Sequence, residues 1–342
     1  MRARWIDEWD GPLQSGERPE PTPARDEVLV DVESCAIGLT LLNCIRGDLG
    51  NDPAGLPRIP GHEVIGRIIE CGSGVDPARL DERVGAYFYL FCGRCKQCLS
   101  GYEPLCVNLA GFFGVTRDGG YSERTTLPAR NAIPIPESID AVSAAAIPDA
   151  MVTPVHVSRR AQIQPGDRVA VIAAGGGLGI HMVQVARIYG GQVVGLENDE
   201  AKLTFLRDEL EIEGIDSSDF ATTKLPESWG GEADVIVDFL GNQTSHEWAQ
   251  GALGPNGRMV VLTTFPGATF NADPRTLVFQ QASIIGSRYA SRYEFTLAAE
   301  LVARGDVRPI VTEVVGPDEV DTVHEALRKG TLLGRGALVW GS

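Results

Sequence analysis

Apolar and polar residues alternate in short runs through the first 150 residues of the chain. The clearest runs are EVLVDVESCAIG at 27–38, EVIGRIIECG at 63–72 and DERVGAYFYL at 81–90, and segments rich in glycine and proline separate them. A period of two places alternate side chains on opposite faces of a strand, and glycine and proline favour turns. The pattern therefore predicts a barrel-like β domain over residues 1–150.

The pattern changes near residue 150. Residues 167–199 predict a strand, a glycine-rich turn, a helix at 179–189 and a second strand. The first of these strands, VAVIAA, is nearly all apolar, which is typical of a parallel strand covered on both faces. Further strand-like runs follow at 233–241, 258–265 and 282–289. Strands that alternate with helices predict an α/β fold with a doubly wound parallel sheet over residues 151–290.

The remaining tail, residues 291–342, predicts two helices on either side of a turn at GPDE, and then a last strand, GALVW. A chain of 342 residues is too long for one ordinary core and suits two domains.

The charge balance limits the classes of partner. There are 30 basic and 46 acidic residues, a net charge of −16, so the chain repels phosphate backbones and we expect no nucleic-acid partner. No apolar run is long enough to cross a bilayer, and the start, MRARWIDEWDG, lacks the apolar stretch of a signal peptide. We therefore expect a cytoplasmic protein with no membrane partner.

The glycine-rich turn follows the pattern A-x-G-x-x-G and predicts a dinucleotide site. Its residues are Ala174, Gly175, Gly176, Gly177, Leu178 and Gly179. Such a turn lets the backbone approach a pyrophosphate at a helix N-terminus, where free N–H groups favour an anion. Glu197 ends the next strand, where an acid accepts from a ribose 2′-hydroxyl and repels a 2′-phosphate. NAD is therefore expected ahead of NADP, and an ordinary tight turn is the alternative.

A dense cysteine segment, CGRCKQCLSGYEPLC, predicts a metal site. It contains Cys92, Cys95, Cys98 and Cys106, out of seven cysteines in the chain. An odd count in a cytosolic protein argues against a disulfide framework. Four thiolates complete a tetrahedral zinc shell and leave no position open for substrate, so this zinc would be structural. The alternative is four unrelated reduced cysteines in a loop.

Taken together, these features resemble the zinc-dependent alcohol dehydrogenase family, the medium-chain dehydrogenases/reductases. The resemblance rests on the G-H-E at 61–63, the cysteine lobe at 92–106 and the A-x-G-G-x-G turn, and it covers essentially the whole chain. It implies a GroES-like catalytic domain (1–150), a Rossmann domain (151–290) and a C-terminal segment (291–342) that returns to the catalytic domain. It also implies a homodimer or homotetramer that acts on a small-molecule substrate.

The resemblance further implies a second, catalytic zinc, but the ligand pattern is incomplete. His62 matches the histidine of G-H-E, and Asp149 matches the carboxylate of the polyol dehydrogenase version. Gly38 stands where the family has a cysteine ligand, and Leu41 where it has an acid that orients the histidine. Glu63 could replace the cysteine, so a zinc held by His62, Glu63 and Asp149 stays open. The alternatives are a histidine bonded within a turn and, for Asp149, a helix N-cap.

Three functions remain. With zinc, the family chemistry interconverts an alcohol and an aldehyde or ketone, and the hydroxyl of Thr40 passes the proton. Without zinc, Thr40 or His62 could donate to a carbonyl conjugated to C=C, as in enone and quinone reductases. A non-enzymatic NAD-sensing or structural role is the third. We expect the alcohol dehydrogenase reaction, with C=C reduction as the alternative.

Aromatic residues of the first domain could shape a substrate pocket. The candidates are Phe88, Tyr89, Phe112 and Phe113. Ordinary core packing is the alternative for each of them.

Overall fold

The computed structural model describes residues 1–263, 267 and 269–340. Residues 264–266, 268, 341 and 342 lie outside this description, and with them the end of the strand predicted at 258–265. The described chain forms two compact units, one of residues 1–152 with the segment from residue 290 onward, and one of residues 153–289.

The N-terminal part of the first unit is mainly β-structure. Its strands are β1 (Arg2–Trp5), β2 (Gln14–Glu17), β3 (Glu27–Ile37), β4 (Glu63–Cys71), β5 (Arg83–Ala86), β6 (Arg124–Pro128) and β7 (Ala132–Pro134). Its helices are α1 (Leu39–Ile45), α2 (Lys96–Leu99), α3 (Ala141–Ala145) and a π-helix (Ile147–Met151). Short 3₁₀ turns lie at Pro53–Gly55, Pro77–Arg79, Glu103–Leu105 and Ala129–Asn131.

The second unit is a parallel sheet interleaved with helices, which confirms the doubly wound prediction. The strands are β8 (Arg168–Ile172), β9 (Gln192–Glu197), β10 (Glu213–Asp216), β11 (Ala233–Asp238), β12 (Leu253–Val261) and β13 (Ser283–Gly286). The helices are α4 (Val152–Arg160, which begins at the boundary), α5 (Gly179–Ile188), α6 (Glu200–Leu210), α7 (Gln243–Gly251) and α8 (Pro274–Phe279), with a 3₁₀ turn at Glu227–Trp229. The strand order is β10-β9-β8-β11-β12-β13, so the order reverses beside β8, where ligands bind in such sheets.

The C-terminal segment completes the sheet of the first unit. It contains α9 (Arg292–Ala303), β14 (Val311–Val315), α10 (Val320–Arg328) and β15 (Arg335–Val339). The main path of this sheet is β14-β15-β3-β4-β5-β7, and β6 pairs with β3. Strand β14 was not predicted, because its residues are exposed or half-buried and give no apolar run. Within the described residues, the helices are too short or too polar to span a bilayer.

Strand β3 is the centre of this sheet and sets its register. It pairs antiparallel with β15, with Ala337 opposite Ala36, and with β4, with Glu63 opposite Ala36. Ala36 and Ala337 also pack with Ala145 of α3 in a small buried cluster. Helix α3 therefore covers the face of the sheet on which Ala36 lies, and it places the π-helix that follows it over the start of β4.

Candidate functional site

Three neighbouring strands bring one group of polar residues to the same end of the sheet. Glu63 is the first residue of β4, and Arg335 is the first residue of β15. One position beyond the last pair of the β15–β3 ladder, Arg335 lies opposite Gly38. Residues opposite one another in a sheet project to the same face, and so do residues two apart on one strand. Arg335, Gly38 and Glu63 therefore share the face that carries Ala36.

Asp149 reaches the same face from the π-helix. It is the third residue of Ile147–Met151, and the N-cap position of that helix is Ala146, without a side-chain cap. The alternative of a helix N-cap for Asp149 is therefore wrong. A π-helical turn inserts an extra residue and occurs often at functional sites, because it redirects side chains. Here it directs a nearly buried carboxylate, 8% exposed, towards β4.

The three residues predicted as zinc ligands come together. His62 Nε2 lies 3.6 Å from Asp149 Oδ2 and 3.8 Å from Glu63 Oε1. One ligand atom from each residue lies within 4.8 Å of the others. His62 is 2% exposed and Glu63 is fully buried. Among the described residues, His62 Nε2 has no hydrogen-bond partner. Buried polar atoms of this kind are costly unless a proton or a cation compensates them.

A cation is already part of this cluster. The Arg335 guanidinium donates from Nη2 to Asp149 Oδ2 at 2.9 Å, and the same nitrogen lies 3.1 Å from Glu63 Oε1. A Cβ built on Gly38 would lie only 1.9 Å from Arg335 Nη1. Sequence reasoning missed Arg335. The only local signal was an arginine at the start of an apolar strand, which does not identify its partners.

Burial and neighbouring charges shift the pKa of Glu63. Burial raises the pKa of Glu63 to about 7, and the charge of Asp149 acts in the same direction. The positive charge of Arg335 opposes both effects, because it favours the ionised carboxylate. A buried carboxyl group with a pKa near neutrality in a cluster of charged groups is typical of functional sites.

Aromatic rings border the cluster. The Phe88 ring lies 4.9 Å from the His62 ring, and it stacks on Phe112 at 5.3 Å. Tyr89 contacts both phenylalanines, at 5.1 Å and 5.2 Å between ring centroids. Phe113, in contrast, is fully buried in the hydrophobic core. Three of the four aromatic candidates thus lie together near His62, and the fourth is a core residue.

The remaining candidates near Gly38 lie on α1, which starts directly after this glycine. Thr40 is half-buried in the first turn of α1, whereas Leu41 is fully buried in the core. Cys44 donates from Sγ to the carbonyl of Gly114 at 3.3 Å, and burial raises the pKa of its thiol to about 12. Cys44 is therefore an unreactive core residue, and Thr40 is the polar side chain of this junction.

The cysteine lobe forms a second cluster. Cys95 Sγ lies 3.4 Å from Cys98 Sγ and 3.9 Å from Cys106 Sγ, and Cys92 Sγ lies 4.0 Å from Cys98 Sγ. A tetrahedral zinc with Zn–S bonds of about 2.3 Å separates its sulfurs by about 3.8 Å. Backbone N–H groups, first that of Arg94, lower the pKa of Cys92 to about 6, whereas burial raises that of Cys98 to about 12. The four sulfurs therefore have the spacing of a zinc–thiolate site.

The glycine-rich turn lies between β8 and α5, at the point where the sheet order reverses. The N–H of Gly175 donates to Glu197 Oε2, and the N–H of Asn198 donates to Glu197 Oε1, both at 2.9 Å. A Cβ on Gly179 would meet the carbonyl oxygen of Ala173 at 2.2 Å, so only glycine allows this close helix–strand packing. A Cβ on Gly176 would meet only that oxygen, at 3.3 Å. The turn is therefore tight on its inner side and open beside Gly176.

Two family models match the chain. The model described as "Alcohol dehydrogenase GroES-like domain" matches residues 24–137, and the model described as "Zinc-binding dehydrogenase" matches residues 177–304. The first covers most of the β-rich part of the first unit. The second begins inside the glycine-rich turn and extends past β13 into α9.

Individual relatives match over nearly the whole chain. An alcohol dehydrogenase of Geobacillus stearothermophilus is 32% identical, with 98% of each chain covered. An NAD-dependent alcohol dehydrogenase of Sulfolobus acidocaldarius is 26% identical over 99% of each chain. The solved structure of a thermostable alcohol dehydrogenase from Pyrobaculum aerophilum has a TM-score of 0.89 at 29% identity, with 99% of each chain covered.

Proposed function

Because the chain belongs to the zinc-type alcohol dehydrogenases of the medium-chain family and is an oxidoreductase, we propose that it transfers a hydride between NAD and an alcohol, aldehyde or ketone. The observation that carries the proposal is the turn at 174–179 with Glu197 hydrogen-bonded across it. This pair joins the phosphate-binding element and the ribose-binding acid of a dinucleotide site. A small-molecule substrate follows from the family.

The second unit would hold the cofactor. The N–H groups of Ile180 and Met182 in α5 already donate to the carbonyls of Gly176 and Leu178, so the pyrophosphate would be received by the backbone of the turn that leads into the helix, beside Gly176. Both oxygens of Glu197 accept backbone N–H groups, which fixes the carboxylate, and each can accept further from a ribose hydroxyl. A 2′-phosphate would meet this fixed negative charge, so NAD is preferred over NADP. The bound cofactor supplies the hydride chemistry.

The cysteine lobe would hold a structural zinc. Its sulfur–sulfur distances of 3.4, 3.9 and 4.0 Å agree with tetrahedral thiolate coordination. The main-chain N–H of Cys92 also donates to Cys106 Sγ at 3.3 Å, and such bonds stabilise the thiolate form. A zinc bound by four cysteines has no open position, so it stabilises the lobe and takes no part in the reaction.

The second site does not have a donor set that fits zinc. Gly38 provides no ligand atom, and the Arg335 guanidinium contacts the carboxylates of Asp149 and Glu63. We therefore assign the handling of the substrate to the side chains. His62 Nε2, which lacks a hydrogen-bond partner among the described residues, would contact the substrate oxygen. Thr40 would pass the proton, and Phe88 with its aromatic neighbours would exclude water.

Reduction of a C=C bond conjugated to a carbonyl is the second candidate. The missing side chain at Gly38 and the guanidinium of Arg335 favour it, because a polarised enone needs hydrogen bonds rather than a metal. The relatives do not support it better than the alcohol reaction. Enones should therefore be tested together with alcohols, aldehydes and ketones.

The experiment that tests the cofactor assignment is a fluorescence titration with NADH, combined with NAD(H)-linked assays on alcohols, aldehydes, ketones and enones. Glu197→Ala should weaken NADH binding about tenfold, which corresponds to the loss of one charge-assisted hydrogen bond. Glu200→Ala removes the same charge from an exposed position and should leave the affinity unchanged. Equal affinity of Glu197→Ala and the unaltered protein would contradict the assignment.

Homodimeric or homotetrameric assembly and a cytoplasmic location stay predictions. Light scattering on the purified protein would decide the first, because the mass of one chain is 36.7 kDa.

A further inference from the structure

The buried cluster around His62 contains its own cation. Arg335 is 4% exposed and is paired with two carboxylates at 2.9 and 3.1 Å. We propose that this guanidinium permanently occupies the cation position of the cluster, so that His62, Glu63 and Asp149 bind no zinc and the cysteine lobe is the one zinc site within the described part of the chain. The inference deepens the proposed function and rests on it for the reaction, but not for the metal content.

Arg335 occupies the space that a side chain at position 38 would need. A Cβ at position 38 would lie 1.9 Å from Arg335 Nη1 and 2.5 Å from its Cζ, so the guanidinium fills the space of a side chain at this position. Cross-strand pairing places the two residues opposite one another, since Arg335 continues the ladder that pairs Gly336 with Ile37. The absence of a side chain at Gly38 therefore makes room for the buried guanidinium of Arg335.

The positive charge of Arg335 also opposes the binding of a metal ion. Asp149 Oδ2 and Glu63 Oε1, which lie 3.6 and 3.8 Å from His62 Nε2, are also the oxygens that contact Arg335. A guanidinium keeps its proton under all ordinary conditions, so it cannot become neutral when a metal arrives. A zinc ion on these oxygens would lie directly beside a fixed positive charge. The repulsion would work against metal binding, and Gly38 supplies no thiolate to offset it.

Displacement of Arg335 from the cluster would be costly. The Arg335 backbone is fixed by β15, and its N–H donates to the carbonyl of Ile310 at 3.0 Å. To admit a metal, the guanidinium would have to leave a buried environment and find new partners. The guanidinium would then lose both of its carboxylate partners, and a buried charge without a partner is strongly unfavourable. The arginine is therefore a resident part of the site.

The decisive measurement compares the zinc content of the unaltered protein with that of His62→Ala. The full-length protein and His62→Ala are purified from zinc-supplemented cultures without chelator, and zinc per chain is measured by elemental analysis. The proposal expects about one zinc per chain in both, held by the four cysteines. A zinc content about one per chain higher in the unaltered protein than in His62→Ala would overturn it.

A designed gain of metal provides the second test. Gly38→Cys combined with Arg335→Ala restores a thiolate and removes the cation, so it should bind about one additional zinc. Growth with cobalt should then add the absorption bands of a second thiolate-bound Co²⁺. Gly38→Cys alone pushes the guanidinium aside, because the new Cβ would lie 1.9 Å from Arg335 Nη1, but it keeps the positive charge beside the carboxylates and should gain none. An equal gain in Gly38→Cys alone would show that Arg335 does not exclude the metal. If the double variant fails to fold, the comparison with His62→Ala still decides.

Turnover of alcohols, carbonyls and enones is measured on the same preparations, which separates the two proposals. A content of one zinc, independent of His62, without turnover of any substrate would refute the proposed function and leave this inference intact. Turnover together with a second zinc that requires His62 would support the function and refute the inference.

Discussion

The cysteine lobe and the His62 cluster both bring possible metal ligands close together, but they differ in the positive charge that balances these ligands. In the lobe, sulfurs 3.4–4.0 Å apart lie in a surface segment in which Cys92 and Cys95 are half-buried. In the cluster, one imidazole and two carboxylates lie within 4.8 Å of one another in the interior, and Arg335 is paired with both carboxylates. Proximity of ligand atoms therefore indicates a metal only where no resident cation satisfies them.

The difference also extends to geometry. Four thiolates around one point complete the coordination shell of zinc without help from solvent. The cluster has lost one ligand at Gly38, and the space is filled from the neighbouring strand by Arg335. Substitution of a cysteine in the lobe should therefore lower the metal content, whereas removal of Arg335 from the cluster should raise it.

The largest effect is expected in the lobe. Cys98→Ser should remove about one zinc per chain and lower the free energy of unfolding by at least about 5 kcal/mol, because the binding energy of a structural zinc is part of the folding energy. Elemental analysis and urea unfolding measure the two quantities. Cys71→Ser, at the end of β4 and outside the lobe, is the matched control and should retain the zinc. Retention of zinc by Cys98→Ser would contradict the assignment of the lobe.

The next effect is expected from Arg335→Met, which removes the cation and keeps much of the side-chain volume. Two buried carboxylates then lack their partner, so the free energy of unfolding should fall by about 3–5 kcal/mol. Added zinc should raise the melting temperature of this variant but not that of the unaltered protein, because removal of the cation makes the cluster resemble the lobe.

The control for that variant is Arg304→Met. Arg304 pairs with Asp306 at 2.8 Å, but the two side chains are 56% and 44% exposed. An exposed pair contributes less than about 1 kcal/mol, so the change should be small. A similarly small change in Arg335→Met would mean that the guanidinium does not stabilise the cluster.

The smallest effect concerns a buried histidine that, unlike His62, has a partner at Nε2. His324 Nε2 lies 2.9 Å from Tyr121 Oη, and burial lowers the pKa of His324 to about 4 against the opposing effect of Asp321. The unfolded chain, with a histidine pKa of about 6.5, therefore binds more protons between pH 6.5 and 4. Stability falls as the pH falls through this range, by about 2 kcal/mol at pH 5.

His324→Asn should remove this dependence. Urea unfolding of both proteins at pH 7.5 and pH 5 measures the difference between their pH profiles. Parallel profiles would show that His324 does not carry the effect.

Local patterns were sufficient for much of the fold. The apolar run QVVGLE coincides with β9, and the helix predicted at 179–189 is found as Gly179–Ile188. Both elements bury their apolar residues within one unit, so hydrophobic periodicity reports them directly. Strand β14 escaped prediction because β15 holds it by backbone hydrogen bonds while its side chains are largely exposed. The π-helix at Ile147–Met151 also leaves no periodic signal of its own.

The sequence alone determined the family resemblance, the two kinds of architecture, the glycine-rich turn with Glu197, and the two sets of candidate metal ligands, because each depends on residue types within recognisable motifs. Only the tertiary structure decided what lies beside His62. Gly38 and Arg335 are far apart in the chain and become neighbours through the pairing of β3 with β15. Strand register between distant segments depends on the packing of the whole sheet, and no local pattern specifies it. The positive charge of Arg335 at the candidate site therefore follows from the tertiary structure and not from a local sequence pattern.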